Sequence, residues 1–217
     1  MLHTILCGHT GSSNRGCEAI VRSTIALLHQ QQTTADIATF NMSEDMQANL
    51  DQCGKLIAYR SYEGKKSFAR LYNGLMKKVF HNDFPYEYFR QKDVFSAIKE
   101  AGSAVVVGGD TYCYSREVRL PSYALTRYAQ KTGNTSFLWS CSVDAEVIDR
   151  EMLNDFNRYT MIFPREQCSY QNLLNAGVPK EKLFAMSDSA FALHAEAVIL
   201  PNSFENVIAY NPSYTLG

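Results

Sequence analysis

Apolar positions along the chain alternate between two periods. Residues 2–7 carry the Thr-Ile-Leu-Cys composition and the length of a buried strand. Cys17, Ile20, Val21, Thr24, Ile25 and Leu28 then fall at i, i+3, i+4, i+7, i+8 and i+11, a broad helical face. Further strands are predicted at 36–41, 55–60, 104–107, 135–141, 161–163, 182–186 and 206–209. Helical periodicity covers 64–80, 86–101, 121–131, 146–158 and 166–176. Pro121 is expected in a first turn, and Gly177 with Pro179 closes the 166–176 helix. Ala104–Val107 is continuously apolar between Gly102 and Gly108, as in a strand covered on both faces.

Strands alternating with helices predict an α/β fold: a Rossmann-like, mostly parallel sheet with helices on both faces. Residues 1–200 form the expected domain. Pro201-Asn202-Ser203 marks an edge, so residues 201–217 read as a linker and the start of a C-terminal domain. There is no internal repeat and no low-complexity run.

Composition narrows the function classes. The chain has 217 residues, 46% of them apolar and 20% charged, the profile of a protein with a real core. Twenty-one basic and 22 acidic residues leave a net charge of −1, which argues against nucleic acid as a partner. The N-terminus lacks a basic n-region and a long apolar stretch, so a cytoplasmic location is expected. The six cysteines make no C-x-x-C pair and no zinc spacing with the five histidines, so reduced thiols and no metal are expected.

Four loops carry candidate chemistry. Gly8-His9-Thr10-Gly11-Ser12-Ser13-Asn14-Arg15-Gly16 joins the first strand to the first helix. Gly11 and Gly16 have Walker A spacing, but Cys17-Glu18 replaces the Lys-Ser/Thr that would meet a nucleotide's phosphates. Two uses stay open: lining a cleft at the sheet's carboxyl edge, or capping the helix through Ser or Asn. His9 is the one histidine placed in such a loop. Gly108 and Gly109 after a buried strand allow close approach of a ligand. Asp110 then either orients a sugar hydroxyl and takes its proton or closes a turn. Arg165-Glu166 follows another strand; Arg165 suits a carboxylate or phosphate, or pairs with a neighbouring acid. Asp188 precedes an apolar start, as a helix cap or a cleft carboxylate.

A fifth feature is the basic amphipathic segment 65–80, in which Phe68, Leu71, Tyr72, Leu75, Val79 and Phe80 share one face. Between Lys55 and Lys99 there are ten Lys/Arg and four acids. Such a helix either packs on the core with a solvated rim or makes peripheral contact with an anionic membrane surface.

The order of these motifs is more specific than any one of them. Asn14-Arg15-Gly16-Cys17-Glu18-Ala19 is followed by Gly108-Gly109-Asp110 and Leu138-Trp139-Ser140-Cys141-Ser142-Val143. Then come Arg165-Glu166-x-x-Ser169, Leu173-Leu174-x-x-Gly177-Val178 and Ser187-Asp188-Ser189-Ala190-Phe191. The series resembles the polysaccharide pyruvyltransferase family over nearly the whole chain. The resemblance implies the N-terminal half of a two-domain, glycosyltransferase-like (GT-B-like) fold. It implies transfer of the enolpyruvyl group of phosphoenolpyruvate onto two sugar hydroxyls of a cell-surface polysaccharide, forming a pyruvate ketal. The acceptor is a sugar or a lipid-linked oligosaccharide, met at the inner face of the cell membrane. Phosphoenolpyruvate is the donor substrate, and no further cofactor is required.

On this resemblance Asp110 and Arg165 are the catalytic candidates, facing the donor's pyruvyl end. Asn14, Arg15, Gly16, Glu18, Gly108, Gly109 and Asp188 line the substrate cleft. Two positions depart from the family pattern: Cys17 stands where an acid is common, and Ser140 where glycine is. The family's remaining basic donor-binding residues belong to its second half, which is expected to start where this chain stops. A non-catalytic module binding a glycan or a partner is the alternative reading. A nucleotide-binding α/β enzyme is a third, weakened by the missing Walker lysine.

Overall fold

The computed structural model describes residues 2–61, 75–76 and 83–194. Among these, six parallel strands form one sheet: β1 (Leu2–His9), β2 (Thr33–Thr39), β3 (Leu56–Ala58), β4 (Ser103–Gly109), β5 (Thr135–Cys141) and β6 (Met161–Pro164). Their spatial order is β3-β2-β1-β4-β5-β6. The chain therefore builds outward from β1 in one direction, returns, and builds outward again from β4. Such a reversal opens a crevice beyond the carboxyl ends of the two central strands.

Alternation along the strands feeds two hydrophobic layers. Leu6, Ile37, Val105 and Val107 meet Ile20, Val21 and Ile25 of α1 (Arg15–Gln30) on one face. Burying each of these α1 side chains is worth about 1.5–3 kcal/mol. Ile5, Cys7, Val106, Leu138 and Ile162 point to the other face. There they are covered by α4 (Lys92–Ala101), α5 (Arg116–Thr132), α6 (Arg150–Phe156) and α7 (Gln167–Asn175). Two shorter helices, α2 (Met42–Gln47) and α3 (Phe84–Arg90), follow β2 and precede α4. A polar node sits inside the second layer, where buried Asp155 accepts from Tyr112 (2.5 Å) and Thr126, and the hydroxyls of Tyr112 and Tyr159 lie 2.9 Å apart.

The expected doubly covered parallel sheet is present, with several shifted boundaries. The second strand begins at Thr33 and stops at Thr39, where Asn41 caps α2 by accepting from the Glu44 amide. The 86–101 helix divides at Gln91 into α3 and α4. Pro121 is not in a first turn: α5 starts after Ser115, and Pro121 lies inside the helix. The 146–158 helix is shorter than its periodicity suggests, because two aspartates cap separate pieces. Asp144 accepts from Glu146 N in a single 3-10 turn, and Asp149 accepts from Met152 N to open α6. The 182–186 strand reduces to one parallel bridge between Ile162 and Leu183, extended by Phe184 N to Ile162 O and Met186 N to Pro164 O. The predicted strand 206–209, nearly all of the basic segment 65–80 and the boundary at 200–201 lie outside the described residues.

Candidate functional site

Three strand ends meet in one ion cluster. Asp110 leaves β4, Ser142 follows β5, and Arg165 follows β6. Arg165 donates from Nε to Ser142 Oγ (2.8 Å), from Nη1 to Asp188 Oδ2 (2.8 Å) and from Nη2 to Asp110 Oδ1. Burial works against the guanidinium charge, but Asp110 and Asp188 outweigh it and hold Arg165 protonated above its ordinary range. A guanidinium carries about five N–H donors, so some remain for a ligand. Asp188 is the cap that one reading of its sequence position expects, and it lies outside the lining of the neighbouring cleft. Its Oδ1 caps a 3-10 turn by accepting from Ala190 N (2.9 Å) and also receives Ser140 Oγ at 3.2 Å.

Ser140 shapes the end of β5. Its φ of +54° lies in the left-handed region that favours glycine. Its hydroxyl donates to Asp188 and accepts the Ser189 amide at 3.2 Å. Gly108 is fixed by packing instead: a Cβ there would stand 2.6 Å from Cys141 Cβ, so side chain and close strand approach are incompatible.

Beside the cluster, in the crevice between β1 and β4, is a cleft of about 120 Å³. Gly8, His9, Asn14, Cys17, Gly109 and Asp110 are among its walls, with Gly108 beside them. Half of the Asp110 side chain is exposed. Asn14 Oδ1 accepts from the amides of Gly16 (3.0 Å) and Cys17 (3.2 Å), so the cap and the cleft wall are the same residue. Arg15 and Glu18 pair with each other at 2.6 Å, outside the cleft lining, and Glu18 also takes Arg22 at 2.8 Å. Burial raises the Glu18 pKa, but the two arginines overcome it and hold the carboxyl below its usual range.

The first loop is anchored by a residue that no motif announces. Asp45, fully buried on α2, accepts from His9 Nε2 (2.9 Å), Ser12 N (2.9 Å), Ser12 Oγ (2.7 Å) and Thr39 Oγ1. Desolvation favours the neutral acid, yet these donors prevail and keep Asp45 ionised below its ordinary pKa. His9 Nδ1 is buried without a partner. All six cysteines are free thiols, and burial pushes those of Cys7 and Cys141 up. Among the described residues no group of three or more His, Cys, Asp or Glu side chains has metal-binding proximity, and no helix is long and apolar enough to cross a membrane.

The family model for polysaccharide pyruvyl transferase matches residues 14–215, from the first loop past the Asp188 segment. The chain belongs to this family. No curated protein matches the sequence. Solved structures show the fold at low identity. A UDP-N-acetylglucosamine 2-epimerase is 13% identical with a TM-score of 0.55, over 87% of this chain and 49% of that one. Acinetobacter baumannii MurG is 8% identical with a TM-score of 0.53, over 87% and 45%. A putative UDP-N-acetylglucosamine 2-epimerase from Listeria monocytogenes is 14% identical with a TM-score of 0.51, over 84% and 44%. The chain thus spans less than half the length of each of these three structures. Its architecture is that of one Rossmann-like half of a GT-B-like fold.

Proposed function

We propose that the protein takes part in pyruvyl transfer from phosphoenolpyruvate to a sugar diol of a cell-surface polysaccharide. The observation that carries this reading is the Asp110–Arg165–Asp188 cluster, set at the carboxyl edge of the sheet in a chain of this family. The reaction adds a proton to C3 of the enolpyruvyl group, which makes C2 electrophilic. One sugar hydroxyl attacks C2, the C2–O bond to phosphate breaks, and the second hydroxyl closes the ketal. Two hydroxyl protons are released, one balancing the proton taken up at C3 and the other leaving with phosphate. Half-exposed Asp110 orients the attacking hydroxyl and accepts its proton. Arg165 fixes Asp110 and offers its unused N–H donors to the donor's pyruvyl end. Asn14, Gly108 and Gly109 shape the adjoining cleft. In this reading the protein works in the cytoplasm, at the membrane face where such acceptors are assembled, and needs no cofactor besides the donor.

The test is phosphate release by the full-length protein with phosphoenolpyruvate and a panel of sugar acceptors. Release that depends on the acceptor and is lost in Asp110→Asn is expected. A folded full-length protein that releases no phosphate with any acceptor rejects the reading. The other reading of the site is a non-catalytic glycan-binding module. It stands if sugar binds without phosphate release.

A further inference from the structure

A second hollow, of about 210 Å³, adjoins the cleft and shares Gly8, Thr10, Thr111 and Val118 with it. Its far wall is built from Phe40, Arg90, Glu117 and Ser122. Phe40 stacks on Tyr59 with ring centroids 4.0 Å apart, so the ring is rigidly backed. The Arg90 guanidinium carbon lies 4.9 Å from the Phe40 centroid, 5.9 Å from Tyr59 and 5.7 Å from Tyr86. Its Nη2 is 3.3 Å from Glu87, whose pKa burial pushes up, and its Nε is buried without a partner.

We infer that this hollow is a monosaccharide subsite, in which Phe40 takes the C–H face of a sugar ring and Arg90 takes its hydroxyls. The inference rests on the pyruvyl-transfer reading only for the sugar's fate, and it names where the acceptor sits. Several features select a sugar over an anion. Arg90 and Glu117 carry opposite charges, so the hollow offers no net positive field. Thr10 and Thr111 add hydroxyl partners, and a backed aromatic ring has a negative face that attracts C–H edges. The volume is below the roughly 300 Å³ where drug-sized ligand pockets begin, in keeping with one ring. The hollow joins the cleft walled by Asp110, so a ring held on Phe40 has its hydroxyls on the side of that carboxylate.

The test is ligand-observed saturation-transfer NMR on the full chain with the methyl glycosides of glucose, galactose and mannose, in the wild type, Phe40→Ala and Arg90→Gln. Phe40 is partly exposed, so its variant keeps the fold, which circular dichroism checks if Arg90→Gln unfolds. The expected result is saturation of at least one glycoside, about tenfold weaker binding in Phe40→Ala, and no displacement by inorganic phosphate. In turnover assays the acceptor KM of Phe40→Ala rises about tenfold while the phosphoenolpyruvate KM stays within about twofold. No saturation in the wild type, unchanged binding in Phe40→Ala, or displacement by phosphate overturns the subsite. Sugar binding that depends on Phe40 without any phosphate release upholds the subsite and rejects pyruvyl transfer. Phosphate release with an unchanged acceptor KM in Phe40→Ala does the reverse.

Discussion

The Arg165 guanidinium bonds the Asp110 carboxylate across β5, joining the ends of two strands that are not neighbours in the sheet. The same guanidinium holds Asp188, so removing it leaves two carboxylates facing one another without their shared cation. Arg165→Ala is expected to lower phosphate release at least 100-fold, the scale of losing a positioned charge at a reacting centre. Arg165→Lys keeps the charge but cannot reach Ser142, Asp188 and Asp110 together, so it recovers only part of the activity. A double-mutant cycle of Arg165→Ala with Asp110→Asn is expected to show coupling of about 1–3 kcal/mol in stability. Strict additivity would separate the two residues and remove the positioning role.

Asp45 acts on the cleft from behind. It gathers His9, Ser12 and Thr39 onto one buried carboxylate, fixing the loop that supplies Asn14 to the cleft wall and leads into α1. Asp45→Asn exchanges an acceptor oxygen for an amide that faces donors, at a cost of about 2–4 kcal/mol. Hydrogen exchange at the Ser12 amide is expected to speed up more than exchange in β1 or β4. Uniform acceleration across the sheet would make Asp45 a general stabiliser and not a loop anchor.

The strands and helices were legible because each face of the sheet needs its own apolar layer. The run Ala104–Val107 has to be covered on both sides, and it is. The break at Gln91 was not legible: apolar spacing runs on through it, and Gln91 has no breaker chemistry. Pro121 misled for a related reason, since proline marks a first turn only when a cap precedes it closely, and here the cap is Ser115. Asp110, Arg165 and Asp188 stood out individually as polar residues at strand ends. That they bond each other depends on strand order, which joins partners 55 and 23 residues apart. Asp45, Phe40 and Arg90 belong to no motif, and only the fold brings them to the loop or the hollow.

Ser140 supplies a test of strain against hydrogen bonding. A non-glycine residue in the left-handed region costs about 1–2 kcal/mol, and Ser140 offsets this through Asp188 and the Ser189 amide. Ser140→Ala keeps the strain and loses both bonds, so chemical denaturation is expected to show a loss of about 1–3 kcal/mol. Ser140→Gly relieves the strain while losing the same bonds, which leaves stability within about 1 kcal/mol of the wild type. Equal losses in both variants would mean that the backbone conformation costs nothing here.

Asp155 predicts a pH dependence with an unusual sign. Its carboxyl lies in the apolar layer, and burial raises its pKa to about 6, against the donors Thr126 and Tyr112 and the charges of Arg158 and Arg127. The folded protein therefore holds a proton on Asp155 that the unfolded chain, with an ordinary pKa near 3.8, has already released. Between about pH 4 and pH 6 the native state binds more protons, so this group makes the protein less stable as pH rises. The full effect is up to about 3 kcal/mol, complete above the folded pKa. Asp155→Asn keeps an acceptor for Tyr112 or Thr126 and does not titrate. Urea denaturation from pH 4 to pH 7 is expected to give a stability curve that falls less, or rises more, in Asp155→Asn than in the wild type. Parallel curves for the two proteins would show that Asp155 is ionised in the fold throughout this range.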